Sequence, residues 1–304
     1  MGYFYYMVSV IVFIFGLIIG SFLNCVIYRI GISESRPRRE SVSFLRGRSF
    51  CPNCKHTLFW RDLVPLFSFL FLKGKCRYCG KKISWQYPLV EITTALLFLL
   101  IFNYQFNSSV VILGAARDFV SFLSNMGFLA SLGMTIFLFI IASFFILIFV
   151  HDLKYFIIPD KIVYPAIAIV FLYQLFGILR YAQTLVPGAK IEFGAFSILL
   201  NYFASAGGVA VFFLLIFLIS RGKWIGFGDV KLGFLLGLFL GFPKIAVALF
   251  ISYLVGAIIG LGIIFWKKAT MKTEVPFGPF LIFGTFVALF FGDFLANWYL
   301  NFIP

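Results

Sequence analysis

Long apolar runs alternate with short polar segments along almost the whole chain. They lie near residues 3–28, 87–106, 127–150, 162–180, 193–219, 229–242, 245–266 and 277–300. Most approach the roughly 20 residues that a helix needs to cross the hydrocarbon core of a bilayer, whereas the run at 229–242 is short and rich in glycine. The pattern predicts an all-α polytopic membrane protein with about eight transmembrane helices.

Composition agrees with this prediction. Of the 304 residues, 62% are hydrophobic and 12% are charged, against about 45–50% apolar and about 25% charged residues in a soluble domain. The first apolar run has no charged residue before Arg29. Because a secretory signal has a basic start and a shorter apolar core, this run is interpreted as a retained span.

The polar segment 31–86 is the one break in composition and the only plausible soluble domain. It holds twelve of the 25 Lys and Arg residues and three acidic ones. Basic loops between spans stay on the cytoplasmic side, so the N-terminus is predicted outside, in a multi-pass protein of the cytoplasmic (inner) membrane. The net charge of +14 is therefore attributed to topology and to contact with anionic membrane lipid, and no nucleic-acid partner is expected.

Two CxxC pairs lie within this segment. Cys51 and Cys54 form the first pair, and Cys76 and Cys79 form the second. Two such pairs are typical of a tetrathiolate zinc site; a redox role and an incidental pattern are the alternatives. Four cysteine ligands leave no open position, so the Zn²⁺ is predicted to be structural. The two histidines, His56 and His151, are interpreted as surface or interface residues.

Two aspartates at the ends of predicted spans are candidates for catalysis, because charges in membrane segments are costly and commonly functional. Asp152 closes the third span, and Asp229 opens the sixth within GFGDVK, residues 226–231. The predicted topology places both on the cytoplasmic side. Carboxylates that approach each other share a proton, so one serves as general base and the other as acid.

The competing interpretation is that these aspartates cap helices, where a carboxylate favours the helix dipole. Gly226 and Gly228 favour catalysis at Asp229, since they permit a backbone that a substrate chain can approach. Glu91, at the start of the second span, is explained by the dipole, with a secondary role in holding substrate. The four-residue GxGD pattern at 226–229 is weak evidence for catalysis by itself.

Five motifs, in order along the chain, together resemble the bacterial prepilin peptidases, also called type IV leader peptidases. They are residues 20–29 (GSFLNCVIYR), the cysteine pairs followed by 80–91 (GKKISWQYPLVE), 152–160 (DLKYFIIPD), 226–231 (GFGDVK) and 276–279 (PFGP). The resemblance implies an aspartic endopeptidase that removes the leaders of prepilin or pseudopilin precursors. Asp152 and Asp229 occupy the catalytic positions, with Gly226, Gly228, Lys231 and Glu91 in support.

In bacterial members with the long cysteine loop, the resemblance also implies methylation of the new N-terminus with S-adenosylmethionine, at residues that the sequence does not identify. The predicted organisation is a first transmembrane helix at 1–30, a cytoplasmic zinc-binding loop domain with the methyltransferase part at 31–86, and a protease core at 87–304. The alternatives are a general GxGD intramembrane protease without methyltransferase activity, a non-catalytic zinc-knuckle membrane scaffold, and a transporter.

Overall fold

The computed structural model describes residues 2–35, 47–115, 127–184, 191–267 and 275–301. Within these ranges the chain forms nine α-helices, a short 3-10 turn at Trp60–Asp62 and no β-strand. The helices are α1 (Gly2–Ser35), α2 (Phe67–Phe71), α3 (Gln86–Ala115), α4 (Gly127–Tyr155), α5 (Asp160–Thr184), α6 (Ile191–Ser220), α7 (Phe227–Leu240), α8 (Lys244–Lys267) and α9 (Gly278–Leu300).

Seven of the described helices, namely α1, α3, α4, α5, α6, α8 and α9, are long and apolar enough to cross a membrane. The prediction of an all-helical, multi-pass membrane protein is therefore confirmed. The remaining apolar run, the sixth along the chain and predicted near 229–242, forms α7. With 14 residues at 1.5 Å per residue, α7 is about 21 Å long, shorter than a typical hydrocarbon core of about 30 Å.

Parts of several predicted segments lie outside the described residues. These parts are residues 36–46 of the predicted cytoplasmic loop domain, and residues 116–126, 185–190 and 268–274 in segments that join predicted spans.

The chain divides into two compact units, Met1–Leu147 and Ile148–Pro304. In the first unit α1 packs along α3, and the cysteine-containing segment lies between these two helices in sequence. The domain boundaries predicted from the sequence follow motifs and not packing. The predicted domains stay a prediction: 1–30, 31–86 and 87–304.

In the second unit α7 is the central helix. It packs against α5, α6, α8 and α9, and ten of its 14 residues are buried. A helix that is apolar on all sides is a core helix, which explains how a short segment can be so hydrophobic. Its approach to α6 is close, since a Cβ at Gly237 would lie 2.6 Å from Ala206 Cα.

Candidate functional site

Asp152 lies in the last turn of α4, where the helix gives way to a short turn. Its side chain is buried, with 5% of the residue exposed. Phe156 adopts a left-handed conformation with φ 58° and ends the helix. The sequence predicts a surface or interface position for His151, and a surface position is wrong, because the residue is fully buried. Its Nδ1 lies 2.8 Å from the carbonyl oxygen of Ile157. It thereby ties the turn to the helix that carries Asp152.

The carboxylate of Asp152 meets the N-terminus of α9. It accepts a hydrogen bond from the backbone N–H of Gly278. A Cβ at Gly278 would lie 2.5 Å from Asp152 Oδ2, so a side chain at this position would displace the carboxylate. The free N–H groups and the dipole at a helix N-terminus favour a negative charge there.

Asp229 is the third residue of α7. The N-cap of this helix is Gly226, so Asp229 is not itself the N-cap. Its Oδ2 accepts a hydrogen bond of 3.1 Å from the N–H of Gly226, which is half of a capping box. The residue is nevertheless buried, with 9% exposed, whereas a residue that serves only as a cap can remain in water.

Both carboxylates lie in the second unit, at the same end of its helices. Asp152 acts electrostatically on Asp229. Ile158 packs between the backbone segments that hold them, since a Cβ at Gly228 would lie 3.0 Å from Ile158 Cβ and one at Gly278 would lie 3.4 Å from Ile158 Cδ1. Two buried carboxylates that act on each other electrostatically can hold a single proton between them. This state is the starting point for acid–base chemistry on a water molecule.

Lys231 connects the two aspartate motifs. Its Nζ lies 2.5 Å from Asp160 Oδ1, so it joins α7 to the start of α5. The ammonium group also lies over the rings of Tyr164 and Phe227, at 5.3 Å and 5.1 Å from their centroids. Lys231 therefore stabilises the packing of the motifs around the carboxylates.

An aromatic cluster beside Asp229 was not found from the sequence. Tyr253, on α8, lies within the electrostatic reach of Asp229, and its ring contacts that of Phe277 at 5.0 Å. Phe277 directly precedes Gly278. With 44 Phe and 14 Tyr residues in the chain, no local pattern distinguishes these two, and only the fold brings them to the carboxylates.

Glu91 belongs to the first unit and has local partners there. Its Oε2 accepts a 2.8 Å hydrogen bond from the backbone N–H of Leu66, and the Ser21 side chain also bonds to it. Leu66 has φ 59°, a conformation uncommon for a branched residue. Glu91 thus fastens the residue before α2 to α1 and α3.

The four cysteines meet in one place. Their sulfur atoms all lie within 4.8 Å of one another, close to the spacing around a tetrahedral ion with Zn–S bonds of about 2.3 Å. The two pairs fold alike. In the first, Cys51 N donates to His56 O at 3.0 Å and Lys55 N to Cys51 O at 2.9 Å; in the second, Cys76 N donates to Lys81 O at 2.8 Å and Gly80 N to Cys76 O at 2.9 Å.

Deprotonation is favoured at Cys51 and disfavoured at Cys79. Burial raises the pKa of the Cys51 thiol, but hydrogen bonds from the backbone N–H groups of Cys54 and Asn53 and contacts with neighbouring sulfurs outweigh it and lower the pKa to about 7. A backbone hydrogen bond from Lys81 lowers the pKa of the Cys79 thiol, but burial and contacts with the neighbouring sulfurs outweigh it and raise the pKa to about 11. Because metals bind thiolates, the four cysteines fit a site in which one metal ion is held by four thiolates. Asp62 supports the second pair through Arg77 Nε at 2.9 Å and Tyr78 Oη at 3.0 Å.

Comparison with known proteins covers almost the whole chain. Residues 14–105 match the bacterial peptidase A24 N-terminal domain, and residues 139–261 match the type IV leader peptidase family. A prepilin leader peptidase/N-methyltransferase of Aeromonas salmonicida is 33% identical over 311 residues, covering 96% of this chain and 93% of the relative.

Other relatives agree. The proteins of the same name from Aeromonas hydrophila and Bacillus subtilis are 33% and 30% identical; each alignment covers 96% of this chain, with 93% and 97% of the relative. No solved structure matches the chain. At this identity over nearly full length, with the aspartate and cysteine motifs all present, the chain belongs to the type IV leader peptidase family.

Proposed function

We propose that this protein cleaves the leader from prepilin or pseudopilin precursors at the cytoplasmic face of the inner membrane, with Asp152 and Asp229 as the catalytic residues. The observation that carries the proposal is the pair of buried, electrostatically coupled carboxylates on α4 and α7. The relatives' name, prepilin leader peptidase/N-methyltransferase, supports the substrate class.

The proposed cleavage needs only the dyad and water. With one proton shared, the ionised aspartate takes a proton from water as the oxygen attacks the scissile carbonyl carbon, and the protonated aspartate gives its proton to the carbonyl oxygen. In the collapse of the resulting tetrahedral diol, the now protonated aspartate gives its proton to the nitrogen, the ionised aspartate takes the proton of one hydroxyl, and the C–N bond breaks. The carboxyl of the leader and the amine of the mature chain are released, and the dyad again holds one proton.

Gly278 and Gly226 are proposed to position the two carboxylates. Each presents a backbone N–H to one of them, which leaves the remaining oxygens for water and substrate. Gly228 and Lys231 support the arrangement through Ile158 and Asp160. Glu91 holds the segment around Leu66 in the first unit.

The second proposed activity is methylation of the new N-terminal amine. S-adenosylmethionine supplies an electrophilic methyl group for such transfers, and this protein has to hold the amine neutral and within reach of it. The segment 31–86 is proposed to contribute to this step, and 87–304 to proteolysis. The relatives' name includes N-methyltransferase.

Mass spectrometry of the product tests both activities. The purified protein in detergent is incubated with a prepilin-type precursor, with and without S-adenosylmethionine. We expect loss of the leader mass in both reactions, and one added methyl mass only with the methyl donor. An intact precursor contradicts the proposed protease, whereas a cleaved product without added methyl assigns the protein to proteolysis alone.

The cysteine cluster is proposed to bind one structural Zn²⁺. Metal analysis of the purified protein should give one zinc per chain, and Cys51→Ser with Cys76→Ser should give none. Because Asp62 bonds Arg77 and Tyr78, which lie between the two ligands of the second pair, Asp62→Asn should weaken zinc binding, by no more than the roughly 10–100-fold caused by losing a group that bonds a metal ligand directly. Zinc retained by the double cysteine variant would show that the metal lies elsewhere.

A further inference from the structure

An open groove runs between α6 and α8 in the second unit. Its volume is about 430 Å³. On α6 it is lined by Asn201, Ala204, Gly208 and Phe212, and on the other side by Phe242 and Ala246. None of the described residues that line it is charged, and α7 contacts both helices. The groove therefore offers an apolar surface between two membrane-spanning helices.

One end of the groove is closed by polar contacts. The Asn201 side-chain amide donates to Phe242 O at 3.0 Å, and its Oδ1 accepts from Phe242 N at 3.0 Å. This pair of hydrogen bonds satisfies the backbone between α7 and α8 and fixes the distance between α6 and α8. A specific contact between α6 and the segment that joins α7 to α8 thus bounds the groove at this end.

The other end of the groove leads to the proposed catalytic residues. The ring of Phe212 meets that of Tyr253 edge-on at 6.4 Å. Tyr253 in turn contacts Phe277 at 5.0 Å and lies within the electrostatic reach of Asp229. Gly233 lies one turn after Asp229 on α7, and a Cβ at Gly233 would lie 2.5 Å from the buried Phe213 ring. Phe212, the neighbour of Phe213, is therefore about one helical turn from Asp229 along the helix axes.

We propose that this groove binds the apolar helix of the precursor, on the C-terminal side of the bond that is cut. The inference rests on the proposed function and adds the surface that holds the substrate. From Phe212 to Asn201 the groove extends about 16 Å along α6, away from the dyad. A helix that begins near the scissile bond would enter the membrane in this direction.

The lining favours a helix as the occupant. Ala204 and Gly208 are one turn apart on the same face of α6, and Ala246 lies opposite. In membranes, small residues at this spacing let a second helix approach closely, and packing supplies the attraction that the hydrophobic effect does not. Tyr253 links the Phe212 end of the groove to Asp229, so the docked helix would have its N-terminal end on the side of the dyad.

A matched pair of glycine substitutions tests the proposal. Gly207 and Gly208 are neighbours on α6, and a Cβ on either meets nothing within 4 Å, but only Gly208 lines the groove. Gly208→Trp should raise KM for a full-length prepilin precursor about tenfold, the scale of a lost apolar contact, with kcat little changed. Gly207→Trp should have little effect on either, and neither variant should alter cleavage of a truncated precursor that lacks the apolar helix.

Photo-crosslinking identifies the occupant directly. A photoreactive residue at Ala204 should attach to the precursor, and one at Leu200, which is 54% exposed on α6 outside the groove, should not. Two results would overturn the groove proposal while the wild type still cleaves the precursor: an equal KM for both Trp variants, or adducts to lipid alone at Ala204. Either result would leave the proposed function standing. A precursor that the wild type does not cleave would overturn both.

Discussion

At the scale of single residues, the candidate site depends on a few backbone groups that meet two carboxylates. Asp152 accepts from Gly278 N–H, and Asp229 accepts from Gly226 N–H. Both partners are glycines, but for different reasons. Gly278 is required by space, since a side chain would overlap Asp152 Oδ2, whereas a Cβ at Gly226 would lie 3.7 Å from Asp229 Oδ2, an ordinary contact.

Gly278→Ala should therefore lower kcat without unfolding the protein. The added methyl group displaces the Asp152 carboxylate, and a misplacement of about 1 Å can cost about 100-fold in rate. The measurement is kcat for a prepilin precursor together with the unfolding temperature in detergent. Gly262→Ala, at a position where a Cβ meets nothing within 4 Å, is the control and should keep both values. Unchanged kcat in Gly278→Ala would show that this approach does not matter for catalysis.

The residues that carry charge were predictable, and their neutral partners were not. Asp152 and Asp229 are exceptional in a chain with 11 acidic residues, because a carboxylate is expensive near a membrane span. The sequence indicates a surface or interface position for His151, yet the residue is fully buried, with Nδ1 2.8 Å from Ile157 O. Such a contact depends on the path of the turn, which periodicity does not encode.

At the scale of elements, the second unit is organised around a helix that is shorter than a full span. The apolar run at 229–242 was visible in the sequence, and α7 fills Phe227–Leu240. Its role could not be predicted, because uniform hydrophobicity does not distinguish a lipid-facing helix from one surrounded by other helices. The small residues Gly233 and Gly237, which admit Phe213 and Ala206, are the signal that it packs on several sides.

The ion pair between Lys231 and Asp160 should stabilise the contact of α7 with α5 modestly. Asp160 is 57% exposed at its side chain, and pairs of this kind contribute about 0.2–1 kcal/mol. A double-mutant cycle with Lys231→Gln and Asp160→Asn should give a coupling energy in that range by unfolding in detergent. Cleavage should survive in each variant. Strict additivity, or a folded Lys231→Gln protein that cannot cleave, would contradict a purely structural role for Lys231.

At the scale of the whole molecule, the helix ends of the second unit fall into two groups. Asp152, Asp229 and the starts of α5 and α9 lie at one end, joined by the contacts of Gly278, Ile158 and Lys231. At the other end Asn201 bonds Phe242, and Lys244 at the start of α8 pairs with Asp293 near the end of α9 at 2.8 Å. The helices of this unit therefore run alternately up and down.

Together with the basic loops, this alternation predicts that Asn301 lies on the outer side of the membrane while both aspartates face the cytoplasm. A fusion of alkaline phosphatase after Asn301 should be active, since this enzyme requires an oxidising compartment, and a fusion within 221–225 should be inactive. The reversed pattern would overturn the orientation inferred from the basic loops. Activity at both positions would show that α7 does not carry the chain across the membrane.

The most direct test of the account is cleavage by single aspartate variants. Asp152→Asn and Asp229→Asn each keep the size of the side chain and remove the acid–base group, with Asp293→Asn, an aspartate far from the dyad, as the control. We expect the wild type and Asp293→Asn to remove the leader from a prepilin precursor, and neither Asp152→Asn nor Asp229→Asn to release product while both remain folded. Leader removal by either dyad variant at the wild-type rate would contradict the aspartic mechanism.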